Sequence, residues 1–294
     1  MRDGEWTLSY PGTSITWGTA ASPIVNMSAP ALGDAALRAD DDDRPRSDGR
    51  GFGVDFRGGT TISFDLGVFG PDEATARRTV AELARAWRAD AVRTVPGAVA
   101  ELRVRYAGRE RVTYGRPRRF AVIETYAADG IFAVVADFDT VDDLWYSPED
   151  NWRTVTLAPP AGGGLTGLLA SPLTTTGNSD RSIGVTIGGE LPAWSVLEVH
   201  GPITNPVVEI VGLWRVELNT TIAYDRTVWV DTRPWRRLVE INGGGSLAGS
   251  LTRGSVRLGA SAIPPGPYEL ALRGTDETGT AFLRFAWRET FTTP

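Results

Sequence analysis

The sequence predicts a mainly β protein of two domains, with a single helix in the first of them. Between Leu191 and Asp231, extended segments alternate with turns, and the side chains follow a period of two. Apolar Trp214, Val216, Leu218 and Ile222 fall on one parity, and polar Arg215, Glu217 and Asn219 fall on the other. Such alternation is typical of strands buried on one face. Residues 72–91 alone show a helical period, and a Pro/Gly cluster at 158–164 separates two sets of strand signals.

The first domain is predicted to span residues 1–158. Short strands at 5–9 and 13–17 flank a Pro-Gly turn, and the charged, aperiodic segment 33–50 is predicted to form a mobile loop or extended arm. Strands at 53–56 and 60–66 are predicted to form a hairpin across Gly58 and Gly59. Four strands then follow the helix, at 100–106, 111–114, 120–126 and 131–138. The last of these is apolar on both parities, which favours a central position, and a final strand covers 153–157.

The helix at about 72–91 is predicted from one apolar stripe and its charged complement. The stripe contains Ala76, Val80, Leu83, Ala84, Trp87 and Ala91, and the remaining face contains Arg77, Arg78, Glu82, Arg85 and Arg88. Asp72 and Glu73 stand at the start, where the helix dipole favours negative charge. This pattern predicts a helix that packs against a sheet.

The second domain, residues 159–294, begins with an irregular connector at 159–180 and is otherwise all β. Its predicted strands are 182–187, 194–200, 207–211, 213–223, 226–231, 237–241, 255–258, 267–273 and 281–288. Many short strands joined by Gly and Pro turns, without a helix, indicate a β-sandwich.

Composition excludes several classes of function. The 294 residues include no cysteine, so disulfides and thiolate metal sites are absent, and the opening residues lack the apolar core of a signal peptide. No apolar run is long enough to span a membrane. All 30 basic residues are arginine, yet the net charge is −6, which argues against binding nucleic acid by neutralising phosphates.

Candidate catalytic and metal-binding residues each have a simpler structural interpretation. His200 is the only histidine, so any Ser-His-Asp or Cys-His arrangement would require it, and it lies at a strand end before a Gly-Pro turn. Asp40–Asp43 lack the staggered spacing and glycine bend of a calcium loop. Gly243–Gly245 are not followed by the Lys and helix of a phosphate loop. The sequence therefore predicts no catalytic, cofactor-binding or metal-ligating residues, no cofactor, and no enzymatic activity.

Two further groups of residues could mediate binding. Seven arginines lie between Arg103 and Arg119, and inter-subunit ion pairs are favoured over nucleic acid as their role. Five tryptophans of the second domain could stack on sugar rings if exposed, although core or interface packing is favoured. They are Trp194, Trp214, Trp229, Trp235 and Trp287.

A series of motifs along most of the chain resembles a known family. The first half contains DGRGFGVD (48–55), TTISFDLGVFG (60–70), the helix and Trp145-Tyr146; the second contains PLTTTG (172–177), PAW (192–194), HGPITNP (200–206), VDTRPW (230–235), IPPG (263–266) and FAWR (285–288). In this order they are similar to the distal tail (Dit-like) proteins of long-tailed phages. The connector departs from the family pattern LTFPLTF, since it reads GLLASPLTTTG here.

The resemblance implies a structural virion protein with a ring-forming N-terminal half and a galectin-like C-terminal sandwich. It implies a homo-hexameric ring in the distal tail, assembled in the host cytoplasm, between the tail tube protein and the tail-tip hub. DNA would pass the lumen without specific binding, and no membrane insertion is expected. The alternative is a carbohydrate-binding module that contacts a host-surface glycan, since galectin-like sandwiches of this family sometimes bind or flank sugar-binding insertions; the sequence shows no such inserted module, which weighs against it.

Overall fold

A computed structural model of the chain describes residues 1–157, 182–276 and 278–294. It is mainly β, as predicted, and divides into two compact units. The first unit contains Met1–Pro148 together with Phe291–Pro294, and the second contains Glu149–Thr290. The predicted connector, 159–180, lies outside the described residues. No helix in the described ranges is long and apolar enough to cross a membrane.

The first unit is built on one antiparallel sheet with a helix against it. Its elements are β1 (Trp6–Tyr10), β2 (Thr13–Trp17), β3 (Ile24–Asn26), β4 (Leu37–Arg38), β5 (Asp42–Asp43), β6 (Arg50–Gly51), β7 (Phe56–Arg57), β8 (Thr61–Phe69), α1 (Glu73–Arg88), α2 (Asp90–Arg93), β9 (Ala100–Tyr106), β10 (Arg109–Tyr126), β11 (Ile131–Thr140) and β12 (Trp145–Tyr146), with a 3-10 turn at Ala127–Asp129. The main sheet has the order β2-β1-β9-β10-β11-β8-β3. The predicted central position of 131–138 is confirmed, because β11 lies between β10 and β8.

Aromatic side chains fill the space between α1 and the sheet. Trp87 of α1 lies 5.7 Å from Trp17 and 6.0 Å from Phe64, with edge-to-face geometry in both pairs. The indole of Trp87 also donates a hydrogen bond to the carbonyl oxygen of Asp137. Edge-to-face pairs add to the free energy gained from burial alone, so this cluster fixes the helix on the sheet.

The helix begins and ends close to the predicted residues. Asp72 caps it by accepting a hydrogen bond from the backbone N–H of Thr75, and this bond holds the pKa of the exposed Asp72 carboxyl below its usual value. Ala89 adopts a left-handed conformation with φ 48°, which ends α1 before the predicted residue 91. Ala91 was therefore wrongly placed on the buried stripe; it is exposed, and Val92 of α2 is buried instead.

The segment before β8 forms a hairpin within itself, where the sequence predicted a loop or extended arm at 33–50 and a separate hairpin of 53–56 with 60–66. β4 pairs with β7, and β5 pairs with β6, so the chain from Leu37 to Arg57 folds back on itself. The predicted hairpin across Gly58 and Gly59 is wrong, because β8 pairs with β3 and β11. We call Leu37–Arg57 the arm. It overlaps the predicted 33–50 but extends seven residues beyond it, since the returning strand continues to Arg57.

Two strands predicted as separate are one long strand. β10 runs from Arg109 to Tyr126 and includes the predicted 111–114 and 120–126. Its pairing with β11 shifts register between Pro117 and Phe120 and again between Ile123 and Tyr126. Bulges of this kind bend a strand without ending it, which is why the local break at Pro117 resembled a turn in the sequence.

The second unit is a β-sandwich. Its strands are β13 (Asn151–Thr156), β14 (Ser182–Ile187), β15 (Ser195–His200), β16 (Ile203–Ile210), β17 (Trp214–Glu217), β18 (Thr221–Ile222), β19 (Thr227–Asp231), β20 (Leu238–Ile241), β21 (Gly245–Ser246), β22 (Gly266–Thr275) and β23 (Phe282–Trp287), with 3-10 turns at Ala248–Ser250 and Leu258–Ala260. The short β24 (Thr290–Phe291) is not part of the sandwich; it pairs with β12 in the sheet of the first unit. One sheet has the order β13-β23-β15-β19-β20-β21, and the other has β14-β22-β16-β17, with β18 beside β16. Residues 255–258 do not form the predicted strand, since Leu258 begins a 3-10 turn.

The predicted alternation in β17 and β18 agrees with the burial of the side chains. Trp214, Val216, Leu218 and Ile222 are buried between the two sheets, and Arg215 and Asn219 are exposed. The strand is interrupted between Glu217 and Thr221, but the parity is preserved across the break. The hydrophobic pattern therefore fixes which face of this strand meets the core.

The units divide at Pro148 and Glu149, ten residues before the predicted boundary at 158. The reason is β13, which the sequence assigned to the first domain. All six residues of β13 pair with β23, and Val155 and the adjacent Leu157 are buried in the core of the second unit. At the other end, Phe291 packs against the core of the first unit.

We predict that residues 149–290 fold as an independent unit and that residues 159–290 are much less stable. Removal of β13 takes Val155 and Leu157 out of the core, which should lower the free energy of unfolding by about 3 kcal/mol or more. Urea unfolding of both segments measures the difference. Val155→Ala in the longer segment is the matched control and should reproduce part of the loss. Equal stability of the two segments would contradict the placement of β13.

Candidate assembly surfaces

The arm exposes apolar side chains on a charged hairpin. Phe52 is 87% exposed, and Leu37, Val54 and Phe56 are also exposed. The Asp40–Asp43 run serves the hairpin itself: Asp43 forms an ion pair with Arg50 at 3.0 Å, and Asp41 accepts a hydrogen bond from the N–H of Gly53. Within the described residues, no group of acidic or histidine side chains is arranged to hold a metal ion. Exposed aromatic residues on an extended segment are typical of surfaces that become buried on association.

The root of the arm is fixed to the loop after β11. Arg57 forms an ion pair with Asp143, and the N–H of Thr60 donates to the side-chain oxygen of Thr140 at 2.8 Å. A Cβ on Gly59 would lie 2.0 Å from the carbonyl oxygen of Thr140, so only glycine permits this approach. The hairpin therefore leaves the sheet from a defined position.

The same loop contains a carboxyl group in an unusual environment. Burial raises the pKa of Asp142 to about 6, although hydrogen bonds from the Tyr146 hydroxyl at 2.7 Å and from the N–H of Leu144 oppose the rise. The neighbouring Asp143 carboxylate raises it further. No pattern in the sequence distinguishes Asp142 from the other aspartates, because its burial depends on tertiary packing.

The sheet face opposite α1 is apolar at one end, and we call this end the outer face. Phe69 pairs with Ile131 and Gly67 with Ala133, and Ile123 lies across from Ala133 on the next strand. A Cβ on Gly67 would meet the sulfur of Met27 at 2.6 Å and the ring of Phe69 at 2.7 Å, so these two side chains lie over it.

The outer face is accessible to solvent. Met27 is 58% exposed, and Phe69, Ile123, Tyr126 and Ile131 are exposed as well. Toward the other end of the same strands the face becomes polar, with Asp137 opposite Ser63 and Asp139 opposite Thr61. Sequence analysis missed this surface, although the apolar residues on both parities of 131–138 were a signal for it.

Most of the arginines between Arg103 and Arg119 have partners within the chain. Arg103 and Arg105 contact Glu110 at 3.6 and 3.4 Å, and Arg118 contacts Asp139 at 3.0 Å. Arg116 donates to the carbonyl oxygens of Val95 and Ala98, and the Arg111 guanidinium lies 3.6 Å from the ring centroid of Phe291. In the described part of the chain, only Arg109 and Arg119 of this group lack such a partner. An inter-subunit role therefore remains a prediction mainly for these two.

His200 has a structural environment. Its ring stacks on Phe282 at 4.1 Å, its Nδ1 lies 3.0 Å from the Thr227 hydroxyl, and its Nε2 lies 3.7 Å from Glu198. Its ring nitrogens thus face a threonine hydroxyl and a carboxylate, and neither neighbour is the serine or cysteine that a Ser-His-Asp or Cys-His arrangement requires.

None of the five tryptophans considered for sugar binding is exposed. Trp214 and Trp287 are buried in the sandwich core, and Trp194, Trp229 and Trp235 are half-buried. The exposed indole of the second unit is Trp152, which is 53% exposed and which the sequence placed in the first domain.

The fold is shared with structural proteins of phage tails. The chain is similar to the Dit protein of phage SPP1, with a TM-score of 0.58 and 14% sequence identity. The match covers 97% of this chain and 99% of that one. The SPP1 protein is described as a paradigm of the hub of the adsorption apparatus in phages that infect Gram-positive bacteria. The chain has a Dit-like fold. It is equally similar to a chain of the phage P2 baseplate in its activated conformation with Ca, and to one in the same conformation with Sr, each with a TM-score of 0.58 and 13% identity over 97% of both chains.

The Dit-like fold is found by structure alone, since neither a protein-family model nor a curated protein sequence matches the chain. The match covers nearly the whole of both proteins, so both units and their order along the chain are shared. The resemblance first noted from motif order is therefore supported by the fold.

We predict that ionisation of Asp142 weakens the first unit. In the unfolded chain its pKa is near 3.8, and in the fold it is about 6, so the folded protein binds the proton more tightly. The stabilising contribution is complete below about pH 4 and is lost as the pH rises through 6, by up to about 3 kcal/mol. Asp142→Asn should therefore gain stability relative to the wild type between pH 4 and pH 7, measured by urea unfolding.

The exposed Val95→Ala, which changes no titratable group, is the control for this experiment and should keep a constant difference from the wild type. A difference between Asp142→Asn and the wild type that does not change with pH would show that Asp142 is not the titrating group.

Proposed function

We propose that this chain is a structural component of a phage virion, a distal tail protein that forms a homo-hexameric ring. The observation that carries the proposal is the full-length match of both units to the SPP1 Dit protein. In this role the ring joins the tail tube protein to the tail-tip hub and leaves a lumen for DNA. Assembly takes place in the host cytoplasm, and the role is structural and not enzymatic.

The geometry of the first unit supports ring formation. A ring requires a head-to-tail interface, in which one patch of each copy meets a different patch of the next. The first unit offers two such patches, the arm and the outer face, and both expose apolar side chains. We infer that the arm of one copy covers apolar surface on its neighbour, and that the second unit contributes little to the ring contacts.

The charge of the chain is compatible with the passage of DNA. Each copy has a net charge of −6, so a hexamer would be strongly negative and would repel phosphates. The arginines that could bind phosphate are largely engaged with carboxylates or backbone carbonyl oxygens of the same chain. A lumen of this composition would allow DNA to slide without adhering to the wall.

A carbohydrate-binding module is the second candidate, and the exposed indole of Trp152 is the observation that favours it. The two functions are compatible, because the assembly surfaces belong to the first unit and Trp152 belongs to the second. If the chain forms rings but binds no glycan, the structural role is its only function of the two.

We predict that the triple variant Phe52→Ser, Val54→Ser and Phe56→Ser weakens self-association and leaves the monomer folded. The three side chains are exposed, so their loss removes apolar contact area from an interface and not from a core. Light scattering across a concentration series should show the hexamer dissociating at a concentration at least tenfold higher than for the wild type. Circular dichroism checks the fold.

Tyr224→Ser is the control, because Tyr224 is equally accessible but belongs to the second unit. It should leave the mass unchanged. A hexamer unaffected by the triple variant would contradict the role of the arm, whereas a wild-type chain that stays monomeric at every concentration would contradict self-assembly itself.

A further inference from the structure

The loop after β11 holds the arm at its root, and we call residues 140–144 the clasp loop. The N–H of Thr140 donates to the carbonyl oxygen of Thr60 at 2.8 Å, and the Thr140 hydroxyl oxygen accepts from the N–H of Thr60 at 2.8 Å. Asp143 forms an ion pair with Arg57, the last residue of the arm. The clasp loop therefore contacts the arm root at two points, one on each side of Asp142 in the sequence.

Asp142 sets the shape of the clasp loop through three hydrogen bonds. Its carbonyl oxygen accepts from the Thr140 hydroxyl, the same group that holds the arm root. Its carboxyl group accepts from the N–H of Leu144 at 3.2 Å and from the hydroxyl of Tyr146 in β12 at 2.7 Å. Because Asp142 is bonded to Thr140 and adjacent in the chain to Asp143, a movement of Asp142 affects both contacts with the arm.

The carboxyl group of Asp142 has no cation beside it. Burial raises its pKa to about 6, and the neighbouring Asp143 carboxylate acts in the same direction. Arg57 pairs with Asp143, and within the described part of the chain Asp142 forms no ion pair. Two hydrogen bonds alone stabilise the carboxylate in the closed loop, so ionisation in place is costly.

The other titratable and charged groups around the clasp loop do not compensate for that charge. Tyr146 has a single hydroxyl proton to donate, and its ring lies 5.4 Å from that of Tyr114 on β10. Asp139, near the end of β11, is itself negative and is paired with Arg118 at 3.0 Å. An ionised Asp142 therefore gains most free energy by taking up water, which requires the clasp loop to open.

Opening is least costly on the side of the arm. The arm has few buried side chains, whereas Phe138 and Tyr146, which lie on either side of the clasp loop in the sequence, are both buried. Segments with few buried contacts open at a lower free energy than the core of a domain. The contacts that Thr60 and Arg57 make are thus the first to break when the clasp loop moves.

We propose that the protonation state of Asp142 controls how firmly the arm is held. The neutral carboxyl group keeps the clasp loop closed on the arm root, and the carboxylate opens the loop and frees the arm to move. The arm is thus held in mildly acidic solution and released at neutral pH. The device works within one chain, so it does not rest on the proposed ring.

The test is amide hydrogen exchange on the full chain at pH 5 and pH 7.5, read by mass spectrometry and corrected for the intrinsic effect of pH. An opening in which Asp142 regains its ordinary pKa should be populated about tenfold more at the higher pH. Peptides that cover Thr60 and the arm should therefore lose about tenfold in protection, and they should exchange well before peptides of β9.

Two matched variants separate Asp142 from other carboxyl groups. Asp142→Asn should abolish the pH dependence of arm protection. Asp65→Asn removes an exposed carboxylate of β8 and should retain the dependence of the wild type. A third variant, Tyr146→Phe, removes the hydrogen bond that opposes the rise of the Asp142 pKa, so the midpoint of the transition should move to higher pH. A simple loss of stability would not move this midpoint.

Three results would overturn the inference. They are equal protection of the arm at both pH values, a pH dependence that survives Asp142→Asn, and exchange of the arm root only together with β9, which would mean that the whole first unit unfolds. Light scattering of the same samples checks association. A mass that changes with pH in Asp142→Asn as well as in the wild type would assign the effect to the ring and overturn the role of the clasp loop. A chain that stays monomeric but shows the expected exchange would support the clasp loop and contradict only the ring.

Discussion

The two faces of a β-sheet impose the constraint on which this molecule depends. Side chains alternate between the faces, so every strand that buries one set of residues displays another. In the first unit α1 covers one face through Trp87, and in the second unit the two sheets cover one another. The strand register that places some side chains in the core therefore also determines which side chains face the solvent. The outer face is the solvent-side complement of the core of the first unit.

Specific polar contacts anchor one exposed hairpin, the arm, to this frame. The arm contains few buried side chains and is held at its root by Arg57, Thr60 and Thr140. Such a segment has little stability of its own and gains most when it is covered by another surface. The sheet thus fixes the position of the arm, and the arm extends beyond the sheet.

Sequence patterns located the features that depend on local periodicity. The α1 stripe, the buried parity of β17 and the central position of β11 follow from residues three or two apart, so they could be predicted. The path of β13 could not, because its pairing with β23 joins residues distant in the chain. The position of the arm was predicted approximately, but the pairing of its two strands was not. Pairs such as Leu37 with Arg57 join residues far apart in the sequence and leave no periodic pattern.

The surfaces were harder to predict than the fold for the same reason. Met27, Phe69 and Ile131 of the outer face come from distant parts of the chain, and nothing in the sequence brings them together. Asp142 looks like any other aspartate until its burial beside Tyr146 is known. Motif order nevertheless indicated the Dit-like fold, because the succession of turns and strands is retained where individual residues are not.

The path of the chain between the units has a consequence for synthesis. The chain leaves the first unit after Pro148 and returns to it at Phe291, so the second unit is an insertion within the first. On the ribosome, the segment that completes the packing around Arg111 emerges only after the whole sandwich has been made. Folding in the cell should thus proceed from the inside of the sequence outward, with the sandwich finished first and the first unit closed last. A premature stop just before Phe291 would then leave the sandwich intact and the first unit open.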